Sequence, residues 1–425
     1  MRQPGFASRS LLMIAYYFPP LGGSGSLRSL KLAKYLPQFG WNPIVLAPRN
    51  PDWYYANDPE LIEELPSSVS IQRSRMLRSA WVYRLLNPLR LPRLDLTLRR
   101  YVLQPDEQVG WVPSASRLGK ACIHRYGIQA ILSSSAPLSC HLIASHLKRT
   151  TGVPWVADFR DEWYENPHLD LPTRLHRRLH YRLEGRIVRK ADRVIATSPV
   201  FCQLLAKHVA RREKFDTLFM GYDPEDFESS AAEAQKETGR FVLAFAGMFY
   251  SSFRPTALVE ALEALVRSGE VRPSSFRLRL IGANTPADLP VNLPAEMIEF
   301  TGFLPHREVV GHLASADALL LLLSHERGPD VIPSKTFEYL GSRKPILALV
   351  PPDGAVAQIL KRTGGAVVVD IENRDGIRAA VLALYRAWQR GDCMRGSRPE
   401  EATAYSEPAQ AARLATLLDR LVSPC

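Results

Sequence analysis

No CxxC pair occurs in the chain, and its five cysteines, Cys122, Cys140, Cys202, Cys393 and Cys425, are widely spaced and odd in number. This argues against a disulfide scaffold and a cysteine-based zinc site. No apolar run approaches the ~18–20 residues that cross a bilayer. The aliphatic run Ala318 to Leu323 has the length of a buried strand. The amino-terminal LLMIAYYF is short, ends in Pro19-Pro20 and lacks a small-residue cleavage site. It is read as structure, not as a signal peptide, so the chain is expected in the cytoplasm with no segment removed. No repeat of 20–50 residues is visible.

What is present fits a large globular protein. The chain has 425 residues, 46% of them hydrophobic and 23% charged, with a mean hydropathy of −0.12. One core rarely grows past ~250–300 residues, so two domains are expected. The net charge of +11 is unevenly distributed. Residues 1–220 hold 32 Lys and Arg against 17 acids, and residues 221–425 hold 22 against 26. Arg73–Arg100 contains eight Arg and one acid, Asp95, and Arg174–Arg193 contains eight basic residues against Glu184 and Asp192. A basic half of this kind suits nucleic acid, an anionic membrane or a phosphorylated substrate. No nucleic-acid-binding module accompanies it, so nucleic acid is not the expected partner.

Short apolar runs alternate with helical patterns. Leu11–Tyr16, Pro43–Ala47, 128–133, 153–157 and 193–196 read as buried strands, with a helix at Ser26–Phe39 marked by Leu27, Leu30, Ala33 and Leu36. Residues 221–240 are acidic and turn-rich, and read as a linker. A second series follows, with strands at 241–247, 277–282, 297–302, 318–323, 345–350 and 366–370 and helices between them. Unbroken apolar strands separated by helices predict parallel sheets covered on both faces. The expected organisation is 1–220, a first Rossmann-like domain; 221–240, a linker; 241–400, a second such domain; and 401–425, a helix packing back toward the first. Two doubly wound α/β domains of this kind would face a central cleft, with ligands beyond the carboxyl ends of their strands.

The loops after those strands carry the motifs. YYFPPLGGSGSLRS places Gly22, Gly23 and Gly25 before a helix, where backbone amides can hold a phosphate or simply make a tight turn. A dinucleotide fingerprint fails, because Arg28 stands at the third glycine position and the second strand ends in LAPRN, with no acid for a ribose. DFRDEWYENP sets Asp158 and Asp161 about Arg160, with Trp163 and Tyr164 offering flat surfaces for a sugar or base. An Arg–Asp pair closing the strand end is the plainer alternative, and as a metal site the segment is poor. In PSKTFEYLG, Pro333 and Ser334 suit a helix start whose free amides and dipole face a ligand. Lys335 adds a charge. Glu338, one turn in, either accepts a ribose diol or merely complements the dipole. In 174–194, Leu175, Leu179, Leu183, Ile187, Ala191 and Val194 fall on one face. That face is read as packed on the sheet, with the Arg and Lys either solvated or docked on a membrane. The 73–100 stretch, with Trp81, Leu85, Leu86, Leu89 and Leu91, is the better membrane candidate.

FAGMFY, FTGFLPHREVVGHLASADALLLL and PSKTFEYLGSRKPILAL together resemble family 4 glycosyltransferases of the GT-B fold. YYFPPLGGSGSLR and VADFRDEWYENP resemble the first domain of bacterial members that build surface polysaccharides. The resemblance implies transfer of a sugar from a nucleotide diphosphate donor to a hydroxyl, with retention at the anomeric carbon and no metal or other cofactor; no DxD triplet occurs. By resemblance Glu338 binds the donor ribose, and Asp330 stands where the family usually has glutamate. Arg254 is the one base after the FAG turn, and Lys335 is assigned the place of the lysine missing there. Gly247 is the glycine of the FAG turn, and Ser334 starts the helix beneath the diphosphate. Gly302 and Phe303 meet the base, and Gly22, Gly23, Asp158 and Arg160 form the first domain's loop. Asp161 joins Asp330, Arg254 and Lys335 among the catalytic candidates. The acceptor is expected to be lipid-linked or a saccharide, met at the inner face of the cytoplasmic membrane, on whose anionic surface the basic domain docks peripherally. A nucleotide-sugar epimerase, or a GT-B binding protein without activity, is the alternative.

Overall fold

The computed structural model describes residues 9–49, 51, 57–76, 100–164, 166, 169, 171–233, 236–249, 255–282 and 292–423. The first half of the chain supplies β1 (Arg9–Ala15), α1 (Ser24–Tyr35), β2 (Trp41–Pro48), β3 (Ser70–Ser74), α2 (Val112–Tyr126), β4 (Ala130–Ser135), α3 (Ser139–Thr151), β5 (Trp155–Phe159), α4 (Arg174–Lys190), β6 (Arg193–Ala196), α5 (Pro199–Ala206) and β7 (Phe215–Thr217). The second supplies α6 (Pro224–Glu233), β8 (Phe241–Ala246), α7 (Thr256–Arg267), β9 (Phe276–Ile281), β10 (Ile298–Gly302), α8 (His306–Ser315), β11 (Ala318–Leu322), α9 (Lys335–Ser342), β12 (Ile346–Leu349), α10 (Ala355–Thr363), β13 (Ala366–Val369), α11 (Arg374–Gln389) and α12 (Glu407–Val422).

The strands form two parallel sheets, ordered β3-β2-β1-β4-β5-β6-β7 and β10-β9-β8-β11-β12-β13. Their central strands are buried on both faces, which is why they read as unbroken apolar runs. In the first sheet Leu12, Ile14, Leu46, Ile131 and Trp155 pack to one side, and Leu11, Met13, Val45, Leu132 and Val156 to the other. Side chains in a strand alternate between faces, and each face finds its own helices.

The chain divides into two compact units, Met1–Phe219 with Gln410–Cys425, and Met220–Ala409. The carboxyl-terminal helix belongs largely to the first. Ala411, Leu414, Ala415 and Leu418 join Leu11, Met13 and Trp41 in one core, and Asp419 accepts from the Trp41 indole at 2.9 Å. The segment 221–240, expected as a linker, contains helix α6 and is part of the second unit. Its short amphipathic pattern was hidden among acids, which instead occupy the first turn of α6 at Glu225 and Asp226 and suit its dipole.

Candidate functional site

Each sheet reverses its strand order once, between β1 and β4 and between β8 and β11. In open parallel sheets ligands sit at such a point, beyond the carboxyl ends. The motif residues fall at these ends: Gly22 and Gly23 after β1, Asp158, Arg160 and Asp161 at the end of β5, Gly247 after β8, Gly302 and Phe303 at the end of β10, and Asp330, Ser334, Lys335 and Glu338 after β11. Arg254 lies outside the described residues, as do Trp81, Leu85, Leu86, Leu89 and Leu91 of the basic stretch.

In the second unit Lys335 opens α9, and its Nζ lies 4.1 Å from the centroid of the Phe245 ring. That ring stacks on Phe249 at 4.7 Å. Gly247 runs alongside with φ 126°, and a Cβ there would approach Lys335 Nζ to 2.6 Å. The backbone conformation therefore favours glycine here, and any side chain would also displace the lysine ammonium. The Gly247 N–H donates to Ile281 O at 2.8 Å, and the Ala246 N–H donates to the Tyr339 hydroxyl at 2.9 Å. Burial pushes the Tyr339 phenol well up, so it stays neutral. The end of β8, the start of α9 and the lysine thus form one fixed assembly.

Glu338 is half-buried in the first turn of α9. Thr336, beside it, is fully buried, and its hydroxyl has no hydrogen-bond partner among the described residues. Ser334 departs from expectation. It has helical φ −55° and ψ −37° and makes no side-chain cap; the first turn is closed through backbone instead, by Thr336 N–H to Pro333 O and Phe337 N–H to Ser334 O, both at 3.0 Å. Asp330 is exposed, in a loop held by the Ala355 N–H donating to Pro329 O at 2.8 Å. Gly302 has φ 69° and accepts from the Gly282 N–H at 2.9 Å, and Phe303 after it is 63% exposed. A large exposed ring beside a tight turn is available to stack on a ligand.

His325, which the motif reading passed over, pairs with Asp370 at 3.1 Å. The hydrogen bond to Asp370 raises the His325 pKa. With Glu372 they bring ligand atoms within 4.8 Å of one another, on exposed loops after β11 and β13. A cavity of about 410 Å³, lined in part by Lys236, Asp317, Lys344 and Trp388, lies at the other end of the sheet, before β11 and β12, away from the assembly at Lys335.

The first unit corrects several expectations. Asp158 is fully buried, and Arg28 grips it with two bonds, Nε to Oδ2 at 3.0 Å and Nη2 to Oδ1 at 2.8 Å. Ser134 donates a third at 2.8 Å. Burial pushes this carboxyl up, but the Arg28 guanidinium and the hydroxyl outweigh it and hold its pKa below the usual range. Arg28 also donates to the carbonyls of Leu218 and Phe219. Asp158 therefore ties α1 to β5 and to the chain's exit from the unit, and is not placed to touch a ligand. Arg160 donates to three carbonyls, Ser135 at 2.6 Å and Gly25 and Ala136 at 2.5 Å, so it clamps the glycine loop. Among the described carboxylates of this segment, Asp161 is the exposed one beside it.

Trp163 is buried as well. Its indole donates to His180 at 3.0 Å, so it offers no face to a sugar. The expected face of 174–194 holds in part: Leu183, Ile187, Ala191 and Val194 pack inward, joined by His180, Glu184 and Val188, while Leu175 and Leu179 point outward. Glu184 accepts from the Tyr164 N–H at 2.9 Å and pairs with His208 at 2.6 Å. Beneath the loops, buried His141 meets the Ser133 hydroxyl at 2.8 Å, and burial drives its pKa to about 3.

A family model for the glycosyl transferase 4-like domain matches residues 24–219. The matched residues, just under half of the chain, are similar to a glycosyl transferase 4-like domain. The match runs from the first residue of α1 to the end of the chain's first pass through unit one. Over the whole length, three solved structures are similar. Sucrose-phosphate synthase from Thermosynechococcus elongatus is 15% identical with a TM-score of 0.63, covering 97% of this chain and 99% of that one. A UDP-forming α,α-trehalose-phosphate synthase from Burkholderia xenovorans is 14% identical with a TM-score of 0.59, covering 98% and 100%. A putative UDP-N-acetylglucosamine 2-epimerase from Listeria monocytogenes is 13% identical with a TM-score of 0.57, covering 97% and 96%. At these identities the likeness is one of fold, and the fold is GT-B. No curated protein matches the sequence significantly. In the first unit, Gly22 and Gly23 lie just before the matched segment, in the loop after β1, whereas Asp158 and Arg160 lie within it and hold that loop.

Proposed function

We propose that the chain transfers a glycosyl group from a nucleotide diphosphate sugar to a hydroxyl of a lipid-linked or saccharide acceptor. One observation carries this reading: Lys335 and Glu338 share the first turn of α9 at the second sheet's switch point, with the Lys335 ammonium fixed against Phe245 and Gly247. That turn supplies the two features a nucleotide diphosphate needs, a cation with a helix dipole for phosphate and a carboxylate for a diol.

As the donor's glycosidic bond breaks, negative charge grows on the leaving diphosphate. Lys335 and the α9 dipole stabilise that charge in place, with little reorganisation. Arg254 contributes by resemblance. Glu338 accepts from the ribose hydroxyls, and Phe303 stacks on the base. By resemblance Asp330 acts on the donor sugar, and Asp161 is assigned to the acceptor. Charge is handled by fixed cations, so transfer proceeds without a metal ion, and we assign retention of configuration on the family resemblance.

The epimerase reading draws on the likeness to a putative UDP-N-acetylglucosamine 2-epimerase. The deciding experiment incubates the protein with UDP- and GDP-sugars, with and without saccharide or lipid-linked acceptors, in chelator. Acceptor-dependent release of nucleotide diphosphate is expected. Conversion of the sugar nucleotide without acceptor would favour the epimerase, and binding without turnover under every condition would leave a binding protein.

A further inference from the structure

Helix α4 turns an unusual face to the outside. His180, Glu184, Ile187 and Val188 line its buried side. At 100° per residue, the line opposite them carries Leu175, Arg178, Leu179, Arg182 and Arg186. Leu175 is 73% exposed and Leu179 40%. The segment just before η-turn 107–111 lies against this helix: His176 Nε2 is 3.0 Å from the Tyr101 carbonyl, and the two rings meet edge to face at 5.7 Å. Tyr101 is 44% exposed and Val102 63%. Large exposed apolar side chains thus gather on one touching pair of segments, although single exposed leucines scattered on a surface need no explanation.

The charges around them point the same way. Arg174, Arg177, Arg178, Arg182 and Arg186 are all exposed, and none is ion-paired among the described residues. The helix's one acid, Glu184, is buried and committed to His208 and Tyr164. An apolar strip flanked by unpaired guanidinium groups is complementary to a surface that is anionic at its headgroups and apolar just beneath. A soluble polyanion has use for the arginines but none for Leu175, Leu179 and Val102.

We infer that the outer face of α4, with Tyr101 and Val102, is a docking surface for an anionic lipid bilayer. Leu175 and Leu179 sink into the headgroup boundary, and Arg178, Arg182 and Arg186 meet lipid phosphates on either side. Arginine stems can lie along the apolar strip while their heads stay in the phosphate layer. The inference stands on the first unit's surface alone and does not depend on the proposed catalytic activity.

The test is co-sedimentation of the full chain with phosphatidylcholine vesicles, with and without phosphatidylglycerol, at low and high salt. The wild type is expected to sediment with the anionic vesicles at low salt and to be released by high salt. The triple variant Arg178→Gln, Arg182→Gln, Arg186→Gln should lower partitioning on the order of a hundredfold, at roughly fivefold per arginine. The double variant Leu175→Ser, Leu179→Ser, which leaves all charges in place, should lower it at least tenfold. Both change exposed side chains, so unchanged melting temperature and nucleotide binding serve as folding controls, and Arg390→Gln on the second unit should sediment like the wild type. A wild type that stays in the supernatant overturns the inference. So does a triple variant that sediments normally, which would move docking elsewhere. If the arginine variant fails but the leucine variant sediments like the wild type, the surface is a polyanion site and not a membrane one.

Discussion

At the switch point of the first sheet, the charged side chains other than Asp161 turn into the protein. Arg28 and Asp158 are buried against each other, and Arg160 is committed to three carbonyls. At the equivalent place in the second sheet they stay within reach of solvent: Lys335 and Glu338 are half-buried, and Asp330 is exposed. The strand order up to the sixth strand is the same in both units. The same topology therefore serves two purposes. In one unit charge builds a loop of defined shape, and in the other, on the proposed function, it serves a ligand. A buried, fully hydrogen-bonded ion pair is costly to break but has no capacity left for substrate. Lys335 is held over the Phe245 ring and is half-buried, so part of it still faces solvent.

The comparison breaks first at Asp158. Asp158→Ala leaves Arg28 as an unpaired buried charge and should cost about 3–5 kcal/mol of stability, read by denaturant unfolding. A loss within experimental error of zero would mean the pair does not support the first unit. The next effect is one of pH. Folded His141 titrates near 3, against ~6.5 when unfolded. The unfolded chain therefore takes up this proton first as pH falls. Stability from this group is complete above the unfolded pKa and declines by about 1.4 kcal/mol per pH unit below it, until the folded pKa is reached. His141→Phe should flatten that slope by one proton between about pH 6 and 4, whatever its effect on absolute stability.

The second unit should answer in binding, not in folding. Lys335→Ala is expected to weaken nucleotide diphosphate affinity by about 10–100-fold, through loss of a charge-assisted contact worth ~1.5–3 kcal/mol, while melting stays nearly unchanged. A variant that binds normally would remove Lys335 from the site. Smallest is Glu338→Gln, which keeps shape and one acceptor oxygen. Calorimetry should show about a tenfold loss for ribonucleotides and none for inorganic diphosphate. Equal losses for both would assign Glu338 to the helix dipole instead of the ribose.

The central strands were legible because burial on both faces writes them as apolar runs. The strands missed, β3 and β7, are sheet edges with half-buried, polar sequences, Ser70–Ser74 and Phe215–Thr217, which carry no such run. The lysine and glutamate of α9 were legible because they lie three residues apart in one turn. The bond between Arg28 and Asp158 was not, since its partners are separated by 130 positions. A trace of it was visible all the same, for Arg28 is the residue that spoils the third glycine of the dinucleotide pattern. The inner face of α4 was legible at Leu183, Ile187 and Ala191 but misread at Leu175 and Leu179, by trusting every leucine to be inside. His180, Glu184, Ile187 and Ala191 keep an equally good helical period, and their polar members are satisfied by Trp163, His208 and Tyr164.

The path of α12 bears on how such a chain comes to be made. Its residues from Gln410 onward complete the same core as Leu11, Met13 and Trp41, which are among the earliest to be synthesised. A ribosome releases the amino-terminal unit with one apolar face still bare, and that face stays bare while the entire second unit is being translated. The first unit is thus sealed last. Premature termination anywhere before residue 410 should yield an aggregation-prone product, even though most of the first unit's sequence is present.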